Sequence, residues 1–161
     1  GGYDESMQRA QDWEMNLRIR QSGGVVWFTP DMHVTYRPRP NLKALARQYH
    51  DYGRWRREVM RRHPDTVSLR YLAAPVAVAG VTAGVVLAGV GALVRQPWLV
   101  ALGLSAPVGY ALLDLGASAQ SAASSPRLSW REAAHLPAIY ATMHGSWGLG
   151  FMRGRPRRAG G

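Results

Sequence analysis

One acidic residue near the start of the sequence, Asp12, has the type and setting of a proton acceptor. It stands beside Trp13 at the start of a predicted helix, after a predicted glycine-rich turn at Gly1 and Gly2. The helix dipole favours the charged form of a carboxylate there, which suits a group that stays ionised until it takes a proton. The structural alternative is that Asp12 only caps its helix. From the residues alone, both interpretations of Asp12 remain open.

Other residue types that ligate metals or act as nucleophiles form no recognisable site. The sequence has no cysteine, which excludes a disulfide framework, a thiolate metal site and a cysteine nucleophile. We expect His33 to be an exposed strand residue, and the sequence predicts no metal site within this chain. The histidines form no pair at i, i+4 and no HExxH motif; they are His33, His50, His63, His135 and His144.

The elements that would position Asp12 have the pattern of a small α/β unit. Apolar residues four apart predict a helix over residues 12–21, which a pair of glycines would end. Residues 25–29 and 32–36 are rich in β-branched and aromatic types, and they predict two short strands joined by a turn.

A long amphipathic helix is predicted over residues 41–62, with Asn41 as its cap. Its basic side has three interpretations: a solvated face of a core-packed helix, a nucleic-acid surface, or a membrane-surface helix. We favour the membrane surface because the helix ends close to an apolar run, where anionic headgroups attract basic residues. On this interpretation membrane lipids are partners and nucleic acid is not.

The middle of the sequence is almost free of charge and is long enough to cross a membrane. Residues 71–94 carry no charged side chain, and at ~1.5 Å per residue they cover the ~30 Å of hydrocarbon. A second apolar run begins at Pro97 and meets its first charge at Asp114, which could reach the headgroups. A buried helix of a soluble protein rarely lacks charge for so long. We expect two transmembrane helices, at about 71–94 and 97–117, within a membrane unit of residues 70–126.

Basic residues flank this membrane unit on both sides. Residues 37–70 contain ten basic side chains and residues 127–161 contain six, whereas only Arg95 lies between the two apolar runs. The positive-inside rule then places both ends in the cytoplasm. Residues 127–161 themselves predict an interfacial or re-entrant helix followed by a basic tail. We expect a multi-pass protein of the cell membrane whose chemistry takes place on the cytoplasmic face.

Six stretches of the sequence, taken together, resemble a known family. Their order and spacing are similar to the C-terminal part of bacterial glycosyltransferase family 2 proteins of the succinoglycan-biosynthesis type. The resemblance runs from residue 1 to about residue 64 and returns near residue 144. The stretches are GGYDE (1–5), QDWEMNLRIRQSGG (11–24), VWFTP (26–30), VTYRPR (34–39), ARQYHDYGRWRR (46–57) and HGSWGLGF (144–151).

The resemblance implies a fold and a further domain half. Residues 1–64 would form the acceptor side of a Rossmann-like GT-A domain, so the expected fold class is an α/β fragment followed by membrane helices. The half that binds the nucleotide sugar, with an Asp-x-Asp motif that holds Mg²⁺ or Mn²⁺, would precede Gly1. The chain is therefore expected to be a fragment that is inactive alone and lacks the metal ligands.

The resemblance also implies roles for residues near the start of the chain. In the family, the second acid of a Glu-Asp pair deprotonates the acceptor hydroxyl, and here the pair is Gln11-Asp12, so only Asp12 fits that role. Gly1 and Gly2 would let the backbone approach the sugar closely, although an ordinary turn explains them equally well. Trp13 would adjoin the substrate.

A second implied binding pair is Arg54 and Trp55. Processive family members carry Gln-x-x-Arg-Trp at the acceptor channel, and this sequence keeps the Arg and Trp but has Asp51 in place of Gln. A planar guanidinium suits a diphosphate, and an indole face suits an acceptor sugar or lipid phosphate. The departure at Asp51 argues against a synthase that extrudes its own polysaccharide.

The expected function is an inverting transfer of a sugar from a nucleotide diphosphate sugar to a lipid-linked or glycan acceptor at the cytoplasmic membrane face. The alternative is a noncatalytic membrane-anchored scaffold or lipid-binding protein, whose basic helix docks partners or anionic lipid.

Overall fold

The computed structural model describes residues 2–7 and 9–154, and every regular element in these ranges is a helix. Two helices and two short 3₁₀ turns lead to a pair of long apolar helices, and a very short helix precedes the last one. The bounds are Gln11–Gln21 for α1, Leu42–Arg62 for α2, Ala73–Leu93 for α3, Pro97–Ala123 for α4, Trp130–Ala133 for α5 and Leu136–Arg153 for α6, with the 3₁₀ turns at Pro64–Thr66 and Leu69–Tyr71.

The expected α/β fold is wrong, because the described residues contain no strand and no sheet. The two segments predicted as strands, residues 25–29 and 32–36, form neither helix nor strand. A strand exists only where a neighbouring segment pairs with its N–H and C=O groups, and no described segment does so here. Without a sheet to cover them, Trp27 and Phe28 are 85% and 86% exposed. Helices alone therefore position the candidate site.

The helices around Asp12 agree closely with the predicted ones. α2 begins where expected because the Asn41 side chain accepts a hydrogen bond from the Ala44 backbone N–H at 2.9 Å. α1 begins after Ala10, which has a left-handed φ of 60°, and no side chain caps it. Asp12 therefore lies inside the first turn of α1, and the alternative in which it only caps the helix does not hold.

Within the described residues, α3 and α4 are the two helices long and apolar enough to cross a membrane. They run in opposite directions and pack through small residues. An added Cβ at Gly84 would lie 2.9 Å from Pro107 Cδ, and one at Gly91 would lie 2.7 Å from Leu99 Cβ. The close approach gives the two apolar helices extensive van der Waals contact, which is stronger than the contact each would make with lipid chains.

The helix α4 extends further than the predicted second span, since it continues to Ala123. Asp114 does not lie at a helix end: it is 8% exposed, and its Oδ1 has no hydrogen-bond partner among the described residues. One turn later, the Ser118 hydroxyl is also buried without such a partner. Burying a polar atom without a hydrogen-bond partner is unfavourable, so this face of α4 lowers the free energy of unfolding.

The last helix, α6, joins α2 to the apolar helix pair α3 and α4, because its glycines allow backbone contact on two sides. Gly150 faces α2, where an added Cβ would lie 2.7 Å from the carbonyl carbon of His50. Gly148 faces α3, where an added Cβ would lie 2.7 Å from the Ala74 carbonyl oxygen. α6 thereby fixes α2 to the start of the apolar helix pair.

Replacing Gly150 by alanine tests this contact. The free energy of unfolding should fall by about 1–3 kcal/mol, because the new methyl group meets backbone that has no room to move aside. Unfolding of the full chain in mixed detergent micelles, followed by circular dichroism, measures the change.

The matched control is Gly145→Ala in the same helix. A Cβ at Gly145 has no heavy atom within 4 Å, so its stability should stay the same or rise by up to about 1 kcal/mol, since alanine has the better helix propensity. Equal effects of the two substitutions would contradict the packing role of Gly150.

Candidate functional site

A cleft of about 680 Å³ lies between the N-terminal end of α1 and the middle of α2. One acidic, two basic and several aromatic side chains share it, and α6 contributes one of the aromatic residues. The lining residues are Tyr3, Arg9, Ala10, Gln11, Asp12, Trp13, Tyr52, Trp55, Arg56 and Trp147.

Three of the predicted site residues, Asp12, Trp13 and Trp55, lie together on this cleft. Asp12 is exposed in the first turn of α1, and Trp13 beside it is half-buried. Trp55 is 5% exposed, because it packs with Met7 and Val59 in a small apolar core against which Trp13 also rests. The core thus holds two indole rings in place beside a carboxylate that solvent can reach.

The predicted binding residue Arg54 lies away from this cleft. Its Nε donates a hydrogen bond to the Gly154 carbonyl oxygen at 3.2 Å, at the C-terminal end of α6. Arg57 donates to the Met152 carbonyl oxygen at 2.6 Å in the same region. Cations stabilise the last turn of a helix by pairing with its free carbonyl groups. The part of the basic side of α2 that was predicted to face lipid therefore contacts α6.

The predicted role of the glycine pair at the start of the chain remains a prediction. Gly1 lies outside the described residues, as does the basic tail at residues 155–161. The carbonyl oxygen of Gly2 accepts a hydrogen bond from Arg18 Nη2 at 2.8 Å, and a Cβ at Gly2 would meet nothing within 4 Å. Gly2 does not line the cleft.

The cleft contains an arginine, Arg56, that sequence reasoning did not select. Its guanidinium carbon lies 4.4 Å from the ring centre of Trp13 and 4.5 Å from that of Tyr71. Burial lowers the pKa of Arg56 below its ordinary value, although a guanidinium stays charged at any physiological pH. Successive residues turn by about 100° around a helix axis, so Arg54 and Arg56 point to nearly opposite sides. The sequence therefore indicates that the two arginines face different surroundings. It does not indicate which of them faces the cleft.

Ion pairs attach the first residues of the chain to the end of α2. Arg62 Nη1 lies 2.7 Å from the Asp4 carboxylate, and Arg62 Nε lies 2.8 Å from the Glu58 carboxylate. Arg61 pairs with the same Glu58 at 2.6 Å. The hydrogen bonds from Arg61 and Arg62 lower the pKa of Glu58 to about 2. This network joins the segment that contains Met7 to α2, and Met7 packs against Trp55 of α2.

The network makes stability depend on pH in a defined direction. Because the pKa of Glu58 is lower in the folded chain than its ordinary value of 4.5, its carboxylate stabilises the fold fully above about pH 5. That contribution should disappear as the pH falls from about 5 towards 2. The difference in free energy of unfolding between the wild type and Glu58→Gln should shrink over the same interval, as measured by denaturation in micelles.

A suitable control for this prediction is Glu5→Gln. Glu5 is exposed and has no ion pair with a described residue, so its substitution should change stability little at any pH. A wild-type advantage over Glu58→Gln that persists unchanged at pH 2.5 would show that these pairs do not anchor the fold.

No group of three metal-binding side chains occurs in residues 2–7 and 9–154. The groups that line the cleft and could act on a ligand are its carboxylate, its two arginines and its aromatic residues.

Comparison with known proteins finds a relative whose sequence matches most of this chain. The chain is 32% identical over 154 residues to the succinoglycan biosynthesis protein ExoA of Rhizobium meliloti (strain 1021), and the match covers 95% of this chain and 42% of the relative. The chain thus spans less than half the length of that protein. No protein-family model and no solved structure matches the chain. The resemblance carried by the motifs is confirmed: along nearly all of its length, the chain is similar to part of a succinoglycan biosynthesis protein.

Proposed function

We propose that this chain is part of a glycosyltransferase and that the cleft beside Asp12 receives the acceptor. The observation that carries the proposal is a solvent-accessible carboxylate, Asp12, in one cleft with the half-buried indole ring of Trp13. An indole face suits the apolar face of a sugar ring, and a carboxylate next to a hydroxyl can take its proton. The similarity to a succinoglycan biosynthesis protein supports the same reaction class.

The proposed reaction is an inverting transfer from a nucleotide diphosphate sugar. The acceptor hydroxyl oxygen attacks the anomeric carbon on the face opposite the nucleoside diphosphate. A new bond forms there while the bond from that carbon to the diphosphate oxygen breaks, and Asp12 accepts the hydroxyl proton.

The donor side of the reaction belongs, in this proposal, to a part of the protein outside this chain. The described residues contain no group of three His, Asp or Glu side chains that could hold a metal ion. Mg²⁺ or Mn²⁺ bound to the donor side would neutralise charge on the leaving diphosphate. We therefore propose that the 161-residue chain is inactive alone.

We place the reaction at the cytoplasmic face of the cell membrane, with α3 and α4 as spans. Both helices are long and apolar enough to cross a bilayer, and the arginine excess on either side of them favours two cytoplasmic ends. The cleft lies close to the first span, because Arg56 contacts Tyr71, which ends the 3₁₀ turn before α3. A lipid-linked or glycan acceptor held at the membrane would therefore reach Asp12.

Replacing Asp12 by Asn in the full-length protein tests this function. The change keeps the shape and removes the proton acceptor, so turnover should fall by about 10²- to 10⁴-fold while the KM for the nucleotide sugar stays nearly constant. Transfer from a radiolabelled donor to a membrane acceptor measures both quantities.

The matched control is Asp31→Asn. Asp31 is exposed and does not line the cleft, so this variant should keep its turnover. Normal turnover of Asp12→Asn would reject Asp12 as the base.

A further inference from the structure

The arginines in the second half of α2 differ in their hydrogen-bond and ion-pair partners. Arg54 and Arg57 donate to carbonyl groups at the end of α6, and Arg61 and Arg62 pair with Glu58. Arg56 has no ion pair with any described residue, and its Nη1 is buried without a hydrogen-bond partner there. Arg56 is thus a cation that the described fold surrounds without supplying an anion.

The surroundings of Arg56 are aromatic. Trp13 and Tyr71 each place a ring centre within 4.5 Å of its guanidinium carbon. Aromatic faces attract a cation and fix the plane of a guanidinium, but they do not neutralise its charge or accept its N–H groups as an oxyanion does. The stacking therefore orients the donors of Arg56 while leaving their hydrogen-bonding capacity unused.

The other cation of the cleft is already neutralised. Arg9 Nε lies 3.4 Å from the Asp51 carboxylate, so Arg9 has a counter-ion within the chain. The acid of the cleft, Asp12, forms no ion pair with Arg56. An anion that enters the cleft would therefore meet its strongest uncompensated attraction at Arg56.

We propose that Arg56, held by Trp13 and Tyr71, binds a phosphate group of the substrate in this cleft. Phosphate oxygens match the planar fork of N–H donors better than any neutral group does. The inference rests on the proposed function, since it assigns a ligand to the same cleft. The phosphate comes either from a membrane lipid carrier or from a soluble nucleotide, and the position of Tyr71 just before α3 puts Arg56 where both can arrive.

Direct binding to the full chain in dodecyl maltoside micelles, which contain no phosphate, tests the proposal. The probes are farnesyl phosphate, farnesol, inorganic pyrophosphate and uridine diphosphate, and calorimetry measures each Kd. Farnesyl phosphate, the two soluble probes, or all three should bind, and farnesol should bind at least about tenfold more weakly than farnesyl phosphate. Binding of farnesyl phosphate alone identifies the lipid carrier as the source, and binding of the soluble probes alone identifies the nucleotide. Binding of all three shows that Arg56 accepts a phosphate group from either source.

Two variants of Arg56 separate charge from packing. Arg56→Met keeps an apolar stem between the two rings and should weaken phosphate binding by about 10- to 100-fold. Arg56→Lys keeps the charge without the planar fork and should fall between Arg56→Met and the wild type. The control is Arg131→Ala, because Arg131 also stacks on an aromatic ring, that of Trp130, but is exposed and outside the cleft.

The outcomes also separate this inference from the proposed function. Unchanged phosphate affinity in Arg56→Met, an equal loss in Arg131→Ala, or no binding of any phosphate probe would overturn the assignment of Arg56. Asp12→Asn should bind the phosphate probes at least as tightly as the wild type, since binding needs no proton acceptor and the substitution removes a negative charge from the cleft. Normal turnover in Asp12→Asn would therefore contradict the proposed function, but it would not change the conclusion about phosphate binding by Arg56.

Discussion

Close backbone contact between α6 and its two neighbours is the constraint on which the rest of the structure depends. Because Gly150 and Gly148 have no side chains, α6 lies directly against α2 on one side and α3 on the other. α2 carries Trp55 and Arg56, so a wall of the cleft and one end of the apolar helix pair are both fixed to the same helix. Tertiary packing of this kind supplies the stability that an isolated amphipathic helix lacks.

Several arginines of α2 form contacts within the chain. The sequence has a formal net charge of +10, which by itself indicates a surface that attracts anions. Around α2, however, Arg54 and Arg57 stabilise the end of α6, and Arg62 joins Glu58 to Asp4. The number of arginines therefore overstates how much of this helix is available to lipid or ligand, and the position of each side chain decides its role.

The sequence predicted the elements that local patterns determine. Helical spacing and the cap at Asn41 located α1 and α2, and apolar length located α3 and α4. The strands failed because a strand needs a partner segment, and residue types alone do not supply one. The sequence did not say which of Arg54 and Arg56 faces the cleft, because the contact that occupies Arg54 comes from Gly154, a hundred residues away. Local pattern therefore placed Asp12 correctly at the start of a helix and left the cation beside it unnoticed.

The glycine contacts of α6 have a mechanical consequence for a protein that sits in a bilayer as proposed. A spanning helix changes its tilt when the hydrocarbon layer becomes thicker or thinner. Since α6 contacts both α3 and α2 through its backbone, such a tilt would be passed on to α2, which forms a wall of the cleft. A change in lipid composition would thereby alter the geometry of the cleft, without any lipid binding inside it.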